Sequence, residues 1–585
     1  MDVAADPLDL GLLFGPAAAM FLLVLAAVLT VPISFFVQMR YRRAVLRSMM
    51  DRAAAVPVAP PEPAEPAGPS DHAPAVPAAG PLPLRFVEAG ARGNDPADFG
   101  GSGAPLLTRF LNGPRHAALV YGMAGVAFSI LANAIYMAIN NLEFFPRRTL
   151  TLTLISLWPL VLTIPRIWRE PGLRWYAFAL PVYFGLIALL GREHFGPLVV
   201  GFWLWTWVPP TVAIFLLANR EIRAVSPLVF VTTVVFVGGA HVAFLALYFA
   251  LKASRGAETD ENAVFTFVGL LSLAVCGALA WAALRLAARS YERRWVGEQT
   301  VLIDSYYLIF TLWLTLTEAN TRGAKALWLL VPFVVYRALV AAGMVVLRRR
   351  IRGERPLRLL LLRVFGSRSR SESLFETVGN HWRYAGSIQM IAGTDLATAT
   401  LEPHEFLDFV GGTLTRRFFK GPGDLSERLA RLDTEPDADA RFRVNEFFCH
   451  DDTWRDVLLR LVAESDAVLM DLRTFSPRRQ GCVFELHQLL NLIPLRRVLL
   501  LVDDTTDVPF LRRVLETAWE TLAPESPNRG GAGGELRIVH LKPGRESSRS
   551  LLALLASAAS DDGEVALPGQ SVTLPPGVPD SPLVR

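Results

Sequence analysis

The chain has 585 residues, 52% of them hydrophobic, and a mean hydropathy of +0.35, which is too apolar for an ordinary soluble protein and predicts several membrane spans. The formal net charge of +4 gives no indication of a general nucleic-acid partner. Three cysteines supply neither a disulfide framework nor a zinc quartet, so no metal site is predicted.

The first 350 residues contain nine apolar runs near the length of about 20 residues that a membrane-spanning helix needs. The first run, Leu10–Met39, is too long for the apolar part of a signal peptide and is followed by arginines, so we expect an anchor. The other predicted spans are His116–Ile139, Thr149–Pro165, Trp175–Gly191, Pro197–Leu217, Leu228–Leu251, Ala263–Leu284, Val301–Thr317 and Ala326–Leu347.

Arginines follow the odd-numbered spans, as in Arg40–Arg43, Arg285–Arg294 and Arg348–Arg352, whereas the loop after the sixth span is acidic. Because cytoplasmic loops carry the excess of Lys and Arg, this bias places the N-terminus outside and the C-terminal domain in the cytoplasm. The sequence therefore predicts a multi-pass protein of the inner (plasma) membrane whose partners include membrane lipid.

Composition divides the chain into five parts. They are an anchor with a basic flank (1–53), a linker rich in Pro and Ala (54–105), a membrane domain of about eight helices (106–350), an α/β domain (351–560) and a flexible C-terminal tail (561–585). The linker is expected to be disordered because it has little apolar surface to bury.

Three ionisable residues, His241, Asp304 and Arg337, lie within the apolar runs. Such residues are costly in a membrane and are often functional, which leaves a transport function open. The alternative is that Asp304 and Arg337 lie near helix ends or pair with each other to fix helix packing. No internal repeat or pair of interrupted helices supports transport.

From about Arg355, short apolar runs alternate with segments of helical period. The predicted strands are Leu357–Phe365, Ser387–Ala392, Arg441–Phe448, Ala467–Leu472, Arg497–Val502 and Leu536–Leu541. The predicted helices are Glu372–Tyr384, His404–Leu414, Thr453–Ala463, Cys482–Leu492, Pro509–Leu522 and Ser547–Ala558. Strands that are apolar throughout and alternate with helices predict a parallel α/β sheet covered on both faces.

Small and polar residues follow several strands at the edge where such sheets bind ligands. The candidate ligand-binding residues are Gly366, Ser367, Arg368, Asp395, Asp471 and Arg473. Guanidinium groups suit phosphate, although the arginines of the Gly366–Arg370 loop also suit anionic lipid. Asp and Thr before a helix are also common N-caps, so Thr453 and Asp507 have a purely structural explanation.

Glu485 lies about one turn into the helix that follows the strand ending at Asp471, on the same side as Cys482 and Leu489. A carboxylate in a crevice above the sheet can stabilise an oxocarbenium-like centre during N-glycosidic cleavage. The alternative is that Glu485 complements the helix dipole or pairs with a nearby arginine.

The stretches "SDAVLMDL", "GCVFEL" and "RRVLLLV" between Ser465 and Val502 resemble the core of TIR domains and of nucleoside 2-deoxyribosyltransferase-like proteins. "GCVFEL" resembles the "W-C-x-x-E-L" of TIR domains, with Gly481 in place of the tryptophan. The chain departs from that pattern in its first strand, "LLLLRVFGSRSR", and in the long segment from Phe418 to Ala440.

The resemblance implies a flavodoxin-like fold, Glu485 as the catalytic carboxylate, and NAD or another nucleotide as substrate, with no separate cofactor. The activity that it implies is that of a nucleotide N-glycohydrolase. The chain is also expected to form a homo-oligomer. Two other functions stay open. One is a non-catalytic membrane sensor whose domain binds nucleotide or self-associates, and the other is a transporter with a regulatory soluble domain.

Overall fold

The computed structural model describes residues 16–53, 81–89, 103–168, 173–191, 208–217, 222, 225–254, 261–363, 378–392, 403–412, 434–450, 453–529, 533–541 and 545–560, with a few positions between 414 and 429. The helices of the N-terminal part are α1 (Pro16–Ala53), α2 (Ala104–Asn140), α3 (Pro146–Ser156), α4 (Trp158–Trp168), α5 (Leu173–Gly191), α6 (Val208–Leu217), α7 (Ser226–Ser254), α8 (Glu261–Glu292), α9 (Glu298–Arg322) and α10 (Val331–Arg352).

Five helical stretches in the described part of the chain are long and apolar enough to cross a membrane. They lie in α1, α2, α8, α9 and in α10 with the 3₁₀ segment before it, and the pair α3–α4, bent by 45°, makes a sixth if counted as one span. Each of the nine predicted spans overlaps one of the ten helices. The count of nine and the orientation stay predictions.

Aromatic side chains fill the centre of this bundle. Phe128 of α2 packs edge-on against Tyr307 of α9 with ring centroids 5.1 Å apart, and Tyr307 stacks on Tyr336 of α10 at 4.0 Å. Beside them the Arg337 Nε lies 2.8 Å from the Asp304 Oδ2. The two charged residues therefore pair with each other, as the packing alternative expected.

The C-terminal part contains a sheet of seven parallel strands. The strands are β1 (Leu84–Ala89), β2 (Leu357–Arg363), β3 (Gly386–Ala392), β4 (Val444–Phe448), β5 (Ala467–Asp471), β6 (Val498–Val502) and β7 (Leu536–Leu541). The helices are α11 (Pro403–Val410), α12 (Trp454–Glu464), α13 (Gln480–Leu492), α14 (Val508–Glu520) and α15 (Arg545–Ala559). All six predicted strands and the α/β class are confirmed.

The strand order is β1-β7-β6-β5-β2-β3-β4. From β2 the chain steps outward through β3 to β4, then returns to the other side of β2 and steps outward through β5, β6 and β7. This is the doubly wound order 3-2-1-4-5-6, with β1 added at one edge. A flavodoxin-like order, 2-1-3-4-5, would place the third strand of the domain on the other side of the first, so the predicted flavodoxin-like sheet is not confirmed.

The two faces of the sheet have separate cores. On one face, Val468 and Met470 pack with Leu486 and Leu489 of α13, in a core shared with α12 and α14. On the other face, Leu469 packs with residues of α15 and with the first turns of α2. The strand residues alternate between these cores because successive side chains of a strand point to opposite faces.

The predicted disordered linker contributes a strand, and this corrects its assignment as a flexible segment. β1 pairs with β7 from Leu84↔Leu536 to Ala89↔Leu541, with Val87 buried in the core of the second face. The start of α2 belongs to the same domain, because the ring of Phe110 packs on Trp382 at 5.1 Å. The α/β domain is therefore discontinuous in sequence: bundle helix α1 precedes β1, and the other bundle helices lie between β1 and β2.

A buried polar interface joins the bundle to the domain. The Asp439 Oδ2 accepts a hydrogen bond from the backbone N–H of Gln299, in the first turn of α9, at 3.2 Å. Arg383, which is 4% exposed, pairs with Glu298 at 3.1 Å. The Arg443 guanidinium donates to the carbonyl of Tyr291 at 2.6 Å and lies 4.2 Å from the centroid of its ring.

Candidate functional site

The doubly wound order creates a crevice at the C-terminal edge of the sheet, between β2 and β5. The connections from the two strands run to opposite faces there, and ligands of such sheets bind at this switch point. The segment after β2 includes Gly366, Ser367 and Arg368, and the segment after β3 includes Asp395. These four candidates lie outside the described residues. Asp471 is the last residue of β5 and Arg473 follows it, so both lie at the C-terminal edge of the sheet.

Asp471 and Arg473 form a bidentate pair. The Arg473 Nε donates to the Asp471 Oδ1 at 2.7 Å, and a terminal nitrogen donates to the Oδ2 at 2.6 Å. Burial on its own lowers the Arg473 pKa, but the hydrogen bond and charge of Asp471 outweigh it and raise the pKa. Thr474, with a φ of 70°, turns the chain away from the strand directly after this pair. The pair therefore gives the crevice a rigid polar floor.

Arg363, which is not among the candidate residues predicted from the sequence, ends β2 directly beside Asp471 in the register of the parallel pair. Arg363 is 7% exposed. The signal is visible in the strand "LRLLLLR", where a charged residue ends an apolar run in a part of the sheet covered on both faces. A cation beside the Asp471–Arg473 pair makes the switch point suited to an anionic ligand.

The loop after β6 braces this edge. The Thr506 hydroxyl donates to the carbonyl of Leu472 at 3.1 Å. The Asp507 side chain accepts from the backbone N–H of Phe510 at 3.0 Å and caps α14, as its structural alternative expected. Thr453 occupies the N-cap position of α12, but its hydroxyl bonds to the backbone of His450 instead of the helix.

Glu485 lies about one and a half turns into α13 and is 4% exposed. Its Oε2 has no hydrogen-bond partner in the part of the chain that the structure describes. The alternative of a salt bridge with an arginine is therefore not seen among the described residues. An unpaired polar atom inside a core is costly, so its presence calls for a function.

Burial raises the pKa of Glu485 to about 8 and also raises the pKa of the neighbouring Cys482 thiol, with the charge of Glu485 as a second cause. The carboxyl is thus largely protonated at neutral pH. A protonated carboxyl can donate a proton, and it becomes a carboxylate when a positive charge develops beside it.

The structure does not bring Asp471 and Glu485 to the same face. Strand alternation puts Asp471 on the face of Leu469, toward α2 and α15, whereas α13 covers the opposite face. On the α13 face lies a second unexpected polar residue, Gln389 of β3. It is 0% exposed, and neither atom of its amide has a partner among the described residues.

The fold and this edge define a class of protein: a bundle with helices apolar enough to span a membrane, joined to a doubly wound α/β domain with a polar switch point. Among the described residues, no group of three or more His, Cys, Asp or Glu side chains is arranged to hold a metal ion. No protein-family model, no curated protein and no solved structure matches the chain.

Proposed function

We propose that the α/β domain binds a nucleotide at the crevice between β2 and β5 and cleaves its N-glycosidic bond, with Glu485 as the reacting carboxyl group and NAD or a related nucleotide as substrate. The carrying observation is the buried Glu485 carboxyl, which has an unpaired Oε2 and a raised pKa. Carboxyls whose pKa is strongly raised by burial cluster at functional sites, which supports this role. The TIR-like resemblance supports the same role.

The role of Glu485 in the cleavage depends on whether its carboxyl group is protonated or ionised. When the bond between the ribose C1′ and the base nitrogen breaks, the electron pair leaves with the base and positive charge develops on the sugar. The Glu485 carboxylate stabilises that charge while the nicotinamide of NAD leaves as the neutral base. The oxygen of water then bonds to the C1′ atom, and the proton that the water loses passes to the Glu485 carboxylate. In this proposal the Asp471–Arg473 pair, on the opposite face of the sheet from α13, binds the ribose. The arginines of the sequence Gly366–Arg370, which lies outside the described residues, bind the phosphates.

The test uses the full chain in detergent and in nanodiscs, because a fragment starting at Arg355 would lack β1 and the first turns of α2. Base release from NAD and common nucleotides is measured for the wild type, Glu485→Gln and the control Glu516→Gln, whose side chain is exposed on α14. Each is measured dilute and clustered on vesicles. Release by the wild type and the control that is lost in Glu485→Gln supports the proposal.

A second candidate is a non-catalytic sensor, and the bundle–domain interface favours it. Glu298 and Tyr291 of the bundle contact Arg383 and Arg443 of the domain, so a change in helix packing reaches the sheet directly. Nucleotide binding without base release, equal in the wild type and in Glu485→Gln, would select the sensor. Absence of both binding and release would leave an interaction module.

A further inference from the structure

A cavity of about 320 Å³ lies between α7, α8 and the start of α9, at the end of the bundle that faces the α/β domain. Its wall is mainly apolar and includes Leu228, Val231, Ala287 and Val301. The lining runs along α8 from Ala283 to Tyr291, roughly 12 Å of helix. The size falls at the lower end of the range of about 300–1,000 Å³ for small-molecule pockets.

The surroundings of the cavity are those of a membrane–water interface. Trp295 follows the end of α8, next to the cavity residue Val296, and is 60% exposed. Exposed tryptophans collect at the level of lipid headgroups. Leu286, which lines the cavity, is itself 62% exposed on the outer surface of the bundle. The cavity is therefore reached from the lipid side.

The positively charged residues beside the cavity favour lipids with anionic headgroups. Arg289 and Arg293 lie three residues after the lining residues Leu286 and Ser290, so they share that side of α8 and its end. Both arginines are exposed, and among the described residues neither is seen in an ion pair with a carboxylate; the Arg293 guanidinium lies 5.2 Å from the centre of the Trp295 ring. The one carboxylate in the cavity wall, Glu298, is paired with Arg383. Unpaired guanidinium groups at headgroup level attract anionic lipid.

From this geometry we propose that the cavity binds one acyl chain of an anionic phospholipid from the leaflet on the side of the α/β domain. Arg289 and Arg293 hold the headgroup. Two residues of the cavity wall, Tyr291 and Glu298, are also the direct partners of Arg443 and Arg383. Occupancy is therefore transmitted to the segment 434–443 of the domain. This proposal does not depend on the chemistry of Glu485.

The test is photo-cross-linking of the full chain in nanodiscs with phosphatidylglycerol or phosphatidylcholine carrying the same diazirine acyl chain, followed by peptide mapping. We expect labelling of the cavity residues of α7, α8 and α9, with a preference of roughly tenfold for phosphatidylglycerol. Ala287→Phe fills the cavity and should abolish the labelling. Ala282→Phe, an exposed position outside the lining, should retain it.

Arg289→Gln with Arg293→Gln keeps the cavity and should remove only the headgroup preference. Hydrogen exchange of residues 434–443 should be slower in phosphatidylglycerol than in phosphatidylcholine, except in Ala287→Phe. Labelling that persists in Ala287→Phe, or that shows no headgroup preference in the wild type, overturns the lipid site. Exchange that is identical in both lipids overturns the coupling.

Discussion

Asp439 stabilises the first turn of α9 from outside the bundle: its Oδ2 accepts from the backbone N–H of Gln299 at 3.2 Å. A carboxylate of the α/β domain thus complements the positive end of a helix that belongs to the bundle. The contact leaves no space at Gly297, where an added Cβ would lie 2.4 Å from the Asp439 Cγ.

Gly297→Ala should therefore push Asp439 away and loosen the interface. We expect a loss of about 1–3 kcal/mol in stability, as for other overpacked sites, and faster hydrogen exchange in residues 434–443. The matched control is Gly353→Ala at the end of α10, where the nearest atom to an added Cβ is 3.5 Å away. Equal exchange in the two variants would show that the interface does not depend on this contact.

Glu485→Gln should change the pH dependence of stability. The pKa is about 8 in the folded chain against an ordinary value of 4.5. The neutral carboxyl therefore contributes a stability that is complete below pH 4.5 and is lost as the pH rises to about 8, at about 1.4 kcal/mol per pH unit. The melting temperature of Glu485→Gln minus that of the wild type should increase from pH 5 to pH 8. Glu516→Gln, which removes a carboxyl from an exposed position of α14, is measured alongside as the control.

The pH dependence of base release should show the same pKa of about 8 for Glu485 as the pH dependence of stability. If the carboxylate of Glu485 is the active form, kcat/KM for the wild type should rise by about tenfold per pH unit below pH 8 and then level off. Initial rates at low NAD concentration between pH 6 and pH 9 provide the measurement. A rate that falls with pH over this range would instead assign Glu485 the role of a proton donor.

Asp304→Asn should destabilise the bundle, because it leaves the Arg337 guanidinium, now 2.8 Å from the carboxylate, without its charged partner. The expected cost is about 3 kcal/mol, read as a lower melting temperature in detergent. Adding Arg337→Gln should recover part of the loss. If Asp304→Asn alone has the melting temperature of the wild type but loses solute flux, the result would support the transporter function.

The edge strand β1 provides a matched pair of neighbouring residues. Val87 is 7% exposed and packs into the sheet core, whereas Phe86 is 53% exposed. Val87→Asp should detach β1 and make residues 536–541 accessible to hydrogen exchange, because a charge would enter an apolar core. Phe86→Asp should leave the hydrogen exchange of β7 unchanged. Faster exchange of β7 in this variant would contradict the pairing of β1 with β7.

The apolar strands were predictable because each is buried on both faces, so "AVLMD" and "VLLLV" differ sharply from the residues around them. β1 was not, since "LRFVEA" is an edge strand with exposed residues, set in a stretch rich in Pro and Ala. The strand order was also not predictable. Alternating strands and helices are the same for both doubly wound orders, and only long-range packing decides where the third strand is placed.

The helical period correctly placed Glu485 with Cys482 and Leu489 on the buried side of α13. The sequence did not show that Glu485 would lack a partner there, because the arginines near it in sequence lie in the loop before the helix. Nor did it show that Arg363 lies beside Asp471, since that neighbour relation depends on the pairing of β2 with β5.

The discontinuity of the α/β domain decides whether the number of membrane crossings in the bundle is even or odd. The start of α2, the end of α8, the start of α9 and the end of α10 all contact the same α/β domain. If the bundle helices span a membrane, these ends must all lie on one side of it, and the chain then crosses an even number of times between Ala104 and Arg352. The stretch from the end of α2 to the start of α8 must likewise cross zero, two or four times. The four spans predicted there satisfy this condition. An odd number would place segments of the same domain on opposite sides of the membrane.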